Sequence, residues 1–88
     1  MPAAAPSHLT VRVLLFAAYA ESLGAETLEL TVSAPATVGG VVDQLRVLPG
    51  GRLLPPKPLC ARNLAHADAT EPVAEGDEIA ILPPLAGG

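Results

Sequence analysis

Eighty-eight residues set one small domain, able to close around a single sheet and little more. Half the residues are apolar and only 16% are charged, which excludes a chain disordered throughout; the aromatics are Phe16 and Tyr19 alone, so the core has to be built from Val, Leu, Ile and Ala. The net charge of −4, with no basic stripe to neutralise phosphates, argues against nucleic acid as a direct partner.

Met1 to Ser7 is rich in Ala and Pro, and residues 1–8 are expected to form a flexible leader. It lacks the basic and apolar blocks of a signal peptide, and the longest apolar run, Val13 to Ala20, is too short to cross a bilayer. A soluble cytoplasmic chain is therefore expected, with no membrane partner. The lone Cys60 has no intramolecular disulfide partner and reads as a small buried hydrophobe.

His8 to Phe16 reads as the first strand, with Val11, Val13 and Leu15 on its core face and Thr10, Arg12, Leu14 and Phe16 on the other. Ala17 to Leu23 predicts a short helical turn closed by Gly24 in the left-handed region. Glu26 to Val32 alternates, with Leu28, Leu30 and Val32 inward, which predicts an antiparallel partner for the first strand.

Thr37 is the expected N-cap of the main helix, whose stripe is Val38, Val41, Val42, Leu45 and Leu48. Gly39 and Gly40 in its first turn cost about 1 kcal/mol each relative to Ala, and a close approach of helix to sheet would explain them. They do not make a phosphate loop, because the Gly-Lys-Ser/Thr ending is missing. Pro49 to Pro58 is a proline-rich connector. Leu59 to Arg62 predicts a short strand ended by a turn at Asn63. Leu64 to Val73 reads as polar and irregular, and Glu75-Gly76-Asp77 as a turn. Ile79 to Leu82 predicts the last strand, with Ile79 and Ile81 inward and Ala80 and Leu82 outward.

A hairpin, a helix and two further strands, with first and last strands parallel across the helical crossover, make an α+β chain of the β-grasp (ubiquitin-like) type. The expected architecture is a mixed sheet with one main helix on one face and an extended tail: a β-grasp domain over residues 9–82 and a C-terminal diglycine tail over 83–88. Pro83 and Pro84 end ladder pairing and stiffen the exit.

Conventional catalytic groups are missing. His8, His66 and Cys60 match no metal-site spacing, so no metal is expected, and Glu75, Asp77 and Glu78 read as surface carboxylates at a turn. Five of the nine acidic residues fall between Asp68 and Glu78, a cluster able to steer a basic partner or simply to keep the chain soluble. The chemistry-bearing candidate is the end itself. Gly88 carries a terminal carboxylate that is ionised and unreactive at neutral pH until activated, most simply as an acyl-adenylate. Gly87 and Gly88 can thread a narrow channel, with Leu85 and Ala86 as anchors behind them and Pro84 leading the tail out. Strand parity adds Phe16, Leu14 and Leu82 as an apolar patch that a single helix cannot cover, unless the Pro49 to Pro58 connector does so.

Together, Val11-Arg12-Val13-Leu14-Leu15-Phe16-Ala17, Glu21 with Leu23-Gly24, Ala36-Thr37-Val38, Asn63, and the ending Glu75 to Gly88 resemble the small, sulfur-carrying subunit of molybdopterin synthase. The resemblance implies a non-catalytic carrier whose Gly88 is adenylated, converted to a thiocarboxylate and inserted into a large catalytic subunit of a heterotetramer. There its sulfur would pass to cyclic pyranopterin monophosphate. It implies a ubiquitin-activating-like adenylyltransferase as second partner; that enzyme uses ATP and Mg, and this chain binds no cofactor itself. It also places Phe16, Leu82 and His66 on the surface facing the large subunit. Ala20 stands where such chains often carry Arg. Similar tails serve as sulfur carriers for the thiazole of thiamine and as protein modifiers joined to lysines through Gly88; Pro83-Pro84 favours the molybdopterin role.

Overall fold

A computed structural model describes residues 7–84. The elements lie along the chain as β1 (His8–Leu15), α1 (Ala17–Leu23), β2 (Thr27–Ser33), β3 (Ala36–Thr37), α2 (Val38–Arg46), a 3-10 turn (Gly51–Leu53), β4 (Leu59–Arg62), β5 (Ala65–Ala67), β6 (Pro72–Val73) and β7 (Glu78–Leu82). The main sheet runs β2-β1-β7-β4-β5. β1 pairs antiparallel with β2 and parallel with β7, as the crossover argument requires. This mixed sheet with α2 packed on one face is the β-grasp.

The core side of the sheet and the stripe of α2 make the interior. Val13, Ile79, Ile81, Val41 and Leu45 are completely buried. A Val, Leu or Ile side chain taken out of water contributes about 1.5–3 kcal/mol, so this layer supplies most of the driving force in a chain poor in aromatics. Thr37 caps α2 by accepting a hydrogen bond from the Gly40 N–H at 3.1 Å. Gly24 closes α1 at φ +81°, donating to the Ala20 carbonyl.

Several expectations are corrected. β1 stops at Leu15, and Phe16 is the N-cap residue of α1, because the chain turns into the helix there. Leu64 to Val73 is not irregular: it contains β5, which pairs with β4, and β6, which pairs with β3. Strands of two or three residues carry too little alternation to be read from sequence; their partners define them. Gly39 does not meet the sheet. A Cβ there would lie 3.1 Å from the Ala69 carbonyl oxygen, so the loop before β6 is what presses on the helix. The connector is anchored, with Leu54 fully buried and its carbonyl accepting from Arg46 Nε at 3.0 Å. At Gly50 the Ser22 hydroxyl donates to its carbonyl, and a Cβ would fall 1.9 Å from the Ser22 carbonyl oxygen, so only glycine lets α1 and the connector meet.

Candidate functional site: the open sheet face and the exit of the tail

The face of the sheet away from α2 is laid out by register. Thr27, Leu14, Ala80, Ala61 and His66 are successive direct neighbours across β2, β1, β7, β4 and β5. Leu82 pairs with Leu59 one step further along. Directly opposed side chains sit about 5 Å apart, so these residues form one surface. Phe16 is 42% exposed, and its extended backbone (φ −130°, ψ 151°) turns its side chain to the same side as Leu14. The structure therefore brings His66, Leu82 and Phe16 onto one face. It also adds Leu59, 40% exposed, which parity reasoning missed because β4 had no paired register in the sequence. Ala80, expected outward, does face that side but is buried at the middle of the sheet, between Leu14 and Ala61.

The connector partly closes this face near the tail. Tyr19, Pro55, Lys57, Pro58, Leu59, Leu82 and Pro84 line an open groove of about 340 Å³. The segment Pro49 to Pro58 thus reaches Leu82, while Phe16 is not among the lining residues. Pro83 is half-buried and Pro84 exposed, so the chain leaves the body at this groove. Leu85, Ala86, Gly87 and Gly88, the proposed tail and reactive end, lie outside the described residues.

The opposite end of β7 is polar and locked. Asp77 is the one buried charged residue among the described residues, which corrects its reading as a surface carboxylate. Its Oδ2 accepts from Arg62 Nε at 2.7 Å and from the Ala74 N–H at 2.7 Å, and its Oδ1 accepts from Asn63 Nδ2 at 3.0 Å. Asn63 in turn accepts from the Glu78 N–H, and Arg62 bridges to Glu71 at 3.3 Å. Burial opposes the charge on Asp77, but the hydrogen bonds from Asn63, Arg62 and Ala74 and the Arg62 charge outweigh it and hold the carboxyl below its ordinary range. The bonds to Asp77 and then to Glu71 raise Arg62 further. These groups bind one another and leave no acid or base free. The available signal was Asn63 at a left-handed turn (φ 51°) with Asp77 closing the next one.

Cys60 is buried opposite Ile81, and burial pushes its thiol up to about 11. So little thiolate exists at neutral pH that it is a packing residue, not a nucleophile. Among the described residues no cluster of three His, Cys, Asp or Glu side chains could hold a metal, and no helix is long and apolar enough to cross a membrane.

The profile of the ThiS family matches residues 13–88, from the middle of β1 through the diglycine. The chain belongs to the ThiS family. No curated protein matches it. Among solved structures it is similar to small archaeal modifier protein 1 of Haloferax volcanii, 33% identical at a TM-score of 0.75, covering 90% of this chain and 99% of that one. It shares its fold with the putative molybdopterin converting factor subunit 1 of Pyrococcus furiosus, 17% identical at a TM-score of 0.75, covering 88% of this chain and 99% of that one. The same holds for a complex of subunits 1 and 2 of the molybdopterin-converting factor from Helicobacter pylori: 22% identity, a TM-score of 0.65, and coverage of 91% of this chain and 100% of that one.

Proposed function

We propose that this chain is a non-catalytic sulfur carrier whose working group is the Gly88 carboxylate. The observation that carries the reading is that the family match extends from β1 to Gly88. A carboxylate oxygen of Gly88 attacks the α-phosphorus of ATP on a separate adenylyltransferase, and pyrophosphate leaves. Hydrosulfide from a sulfur source then attacks the acyl carbon, the C–O bond to phosphate breaks, AMP leaves and the proton passes to solvent, giving a thiocarboxylate. This chain's contribution is positional. β7 delivers Pro83 and Pro84 outward, and Leu85, Ala86 and Gly87 carry the reactive end into a partner's active site.

The acceptor proposed is cyclic pyranopterin monophosphate, held by a large molybdopterin synthase subunit docked on Phe16, Leu82 and His66. Support comes from the sequence resemblance, from Pro83-Pro84, and from the fold shared with converting-factor subunits, one of them in complex with its second subunit. A second reading, conjugation of Gly88 to target lysines, is favoured by one observation: identity to the archaeal modifier protein is 33%, against 17% and 22% for the two converting-factor structures. Thiamine thiazole synthesis is a third acceptor pathway for the same thiocarboxylate.

The test is intact mass after incubation with ATP, the host's activating enzyme and a sulfur source. Exchange of one oxygen for sulfur, absent from a variant lacking Gly88, is the expected result. No exchange, with the enzyme active on another carrier, would rule out the carrier role. Discharge of the loaded chain by the pterin substrate with the large subunit separates the molybdopterin role from the other two.

A further inference from the structure

Lys57 is the only lysine in the chain. It is exposed on the connector, between Pro55-Pro56 and Pro58, and among the described residues it forms no ion pair. It lies on the groove through which β7 leaves the body, beside Leu59, Leu82 and Pro84. The structure thus places its one primary side-chain amine at the edge of an apolar slot. The segment Pro83-Pro84-Leu85-Ala86-Gly87-Gly88 is apolar up to a bare backbone end, and so matches that slot in kind.

We infer that Lys57 is an acceptor for the activated Gly88 of a second copy of this chain, giving two copies joined by a Gly88–Lys57 isopeptide bond. This rests on the activation of Gly88 proposed above, and not on which pathway uses it. The neutral Lys57 amine attacks the acyl carbon of the Gly88 adenylate. The C–N bond forms, the acyl C–O bond to phosphate breaks, AMP leaves with the electron pair, and the amine's proton passes to solvent. A second copy is favoured over the chain's own tail because Pro83 and Pro84 fix φ near about −65° and favour extended backbone, and only four residues follow them, so self-attack would need a reversal within that length. The joined tail would lie across the root of the acceptor's own tail. Modification of Lys57 and insertion of that copy's tail into a partner therefore exclude each other.

The experiment incubates the full chain with ATP, Mg and the host's activating enzyme, and divides the reaction. Hydroxylamine in one half traps activated Gly88 as a hydroxamate; the other half is searched for a species at twice the chain mass less one water. Trypsin, cutting after Arg52 and Arg62, should release a branched peptide in which residues 63–88 hang through Gly88 from Lys57 of residues 53–62. Lys57→Arg, which keeps the charge at an exposed site, should lose that species while keeping the hydroxamate. A hydroxamate without the branched peptide, a bond to the N-terminal amine, an internal loop at single-chain mass, or a joined species that survives Lys57→Arg would each overturn the inference and leave the carrier reading standing. Absence of the hydroxamate would overturn both.

Discussion

Asp77, just before β7, and Leu82, its last residue, are five positions apart, and the two ends of the strand are built on opposite principles. At its start, Asp77 is buried and spends both oxygens on Arg62, Asn63 and the Ala74 N–H, tying the turn before β7 to the β4–β5 turn. At its finish, Leu82 pairs with Leu59 on a half-exposed apolar face, and two prolines end the ladder. Hydrogen bonds to a buried charge are directional and hold one geometry, whereas an apolar surface over a groove accepts whatever fits it. A tail proposed to enter a partner's site needs a fixed root, and β7 supplies it through its start and its core residues.

Four measurements would break or sharpen this contrast. The largest effect is expected in the middle of the strand: Ile79→Ala, at a completely buried position, should cost about 3–4 kcal/mol in denaturant unfolding. A cost near that of a surface change would mean that β7 is not the spine of the sheet. Next, Cys60 lies under the exit end, opposite Ile81. Its thiol at about 11 against an ordinary 9.0 leaves roughly a hundredfold less thiolate, so alkylation at pH 8 should be slower by about that factor in the folded chain than in denaturant. Equal rates would show that the sheet opens beneath the tail.

Third, Asp77→Ala should cost about 2 kcal/mol by removing the hydrogen bonds that Arg62, Asn63 and the Ala74 N–H make to its buried carboxylate, and the acid limb of the stability curve should flatten in the same variant. The sign follows from the lowered carboxyl. The unfolded chain takes up the proton first, so the stabilisation is complete above the unfolded value of about 3.9 and is lost as pH falls through the lower folded value. An acid limb identical to that of the parent chain would remove Asp77 from this role. The smallest stability effect is expected at the far end. Leu82→Ser, on the half-exposed face, should cost no more than about 1 kcal/mol, yet weaken binding of the proposed large subunit, read by titration calorimetry. Unchanged affinity would take Leu82 out of the docking surface.

Much of this was legible in the residues because burial imprints itself as period. The alternation of Val11, Val13 and Leu15, and the stripe of Val38, Val41, Val42 and Leu45, set which faces turn inward, and with them the two-stranded start, the helix and the parallel closure. The sequence alone also carries the Gly87-Gly88 pair on which the proposed chemistry rests. What only the tertiary structure decided depends on partners distant along the chain. Asp77 reads as one more acid in an acidic stretch until Arg62 and Asn63, some fifteen residues earlier, are folded against it. β5 and β6 exist because β4 and β3 lend them hydrogen bonds, and Gly39 is small because Ala69 passes over it. Lys57 is one residue in a proline-rich connector until the fold lays that connector beside the end of β7. Local pattern carries the period of an element and its caps; which loop meets which strand end is set by packing the whole chain at once.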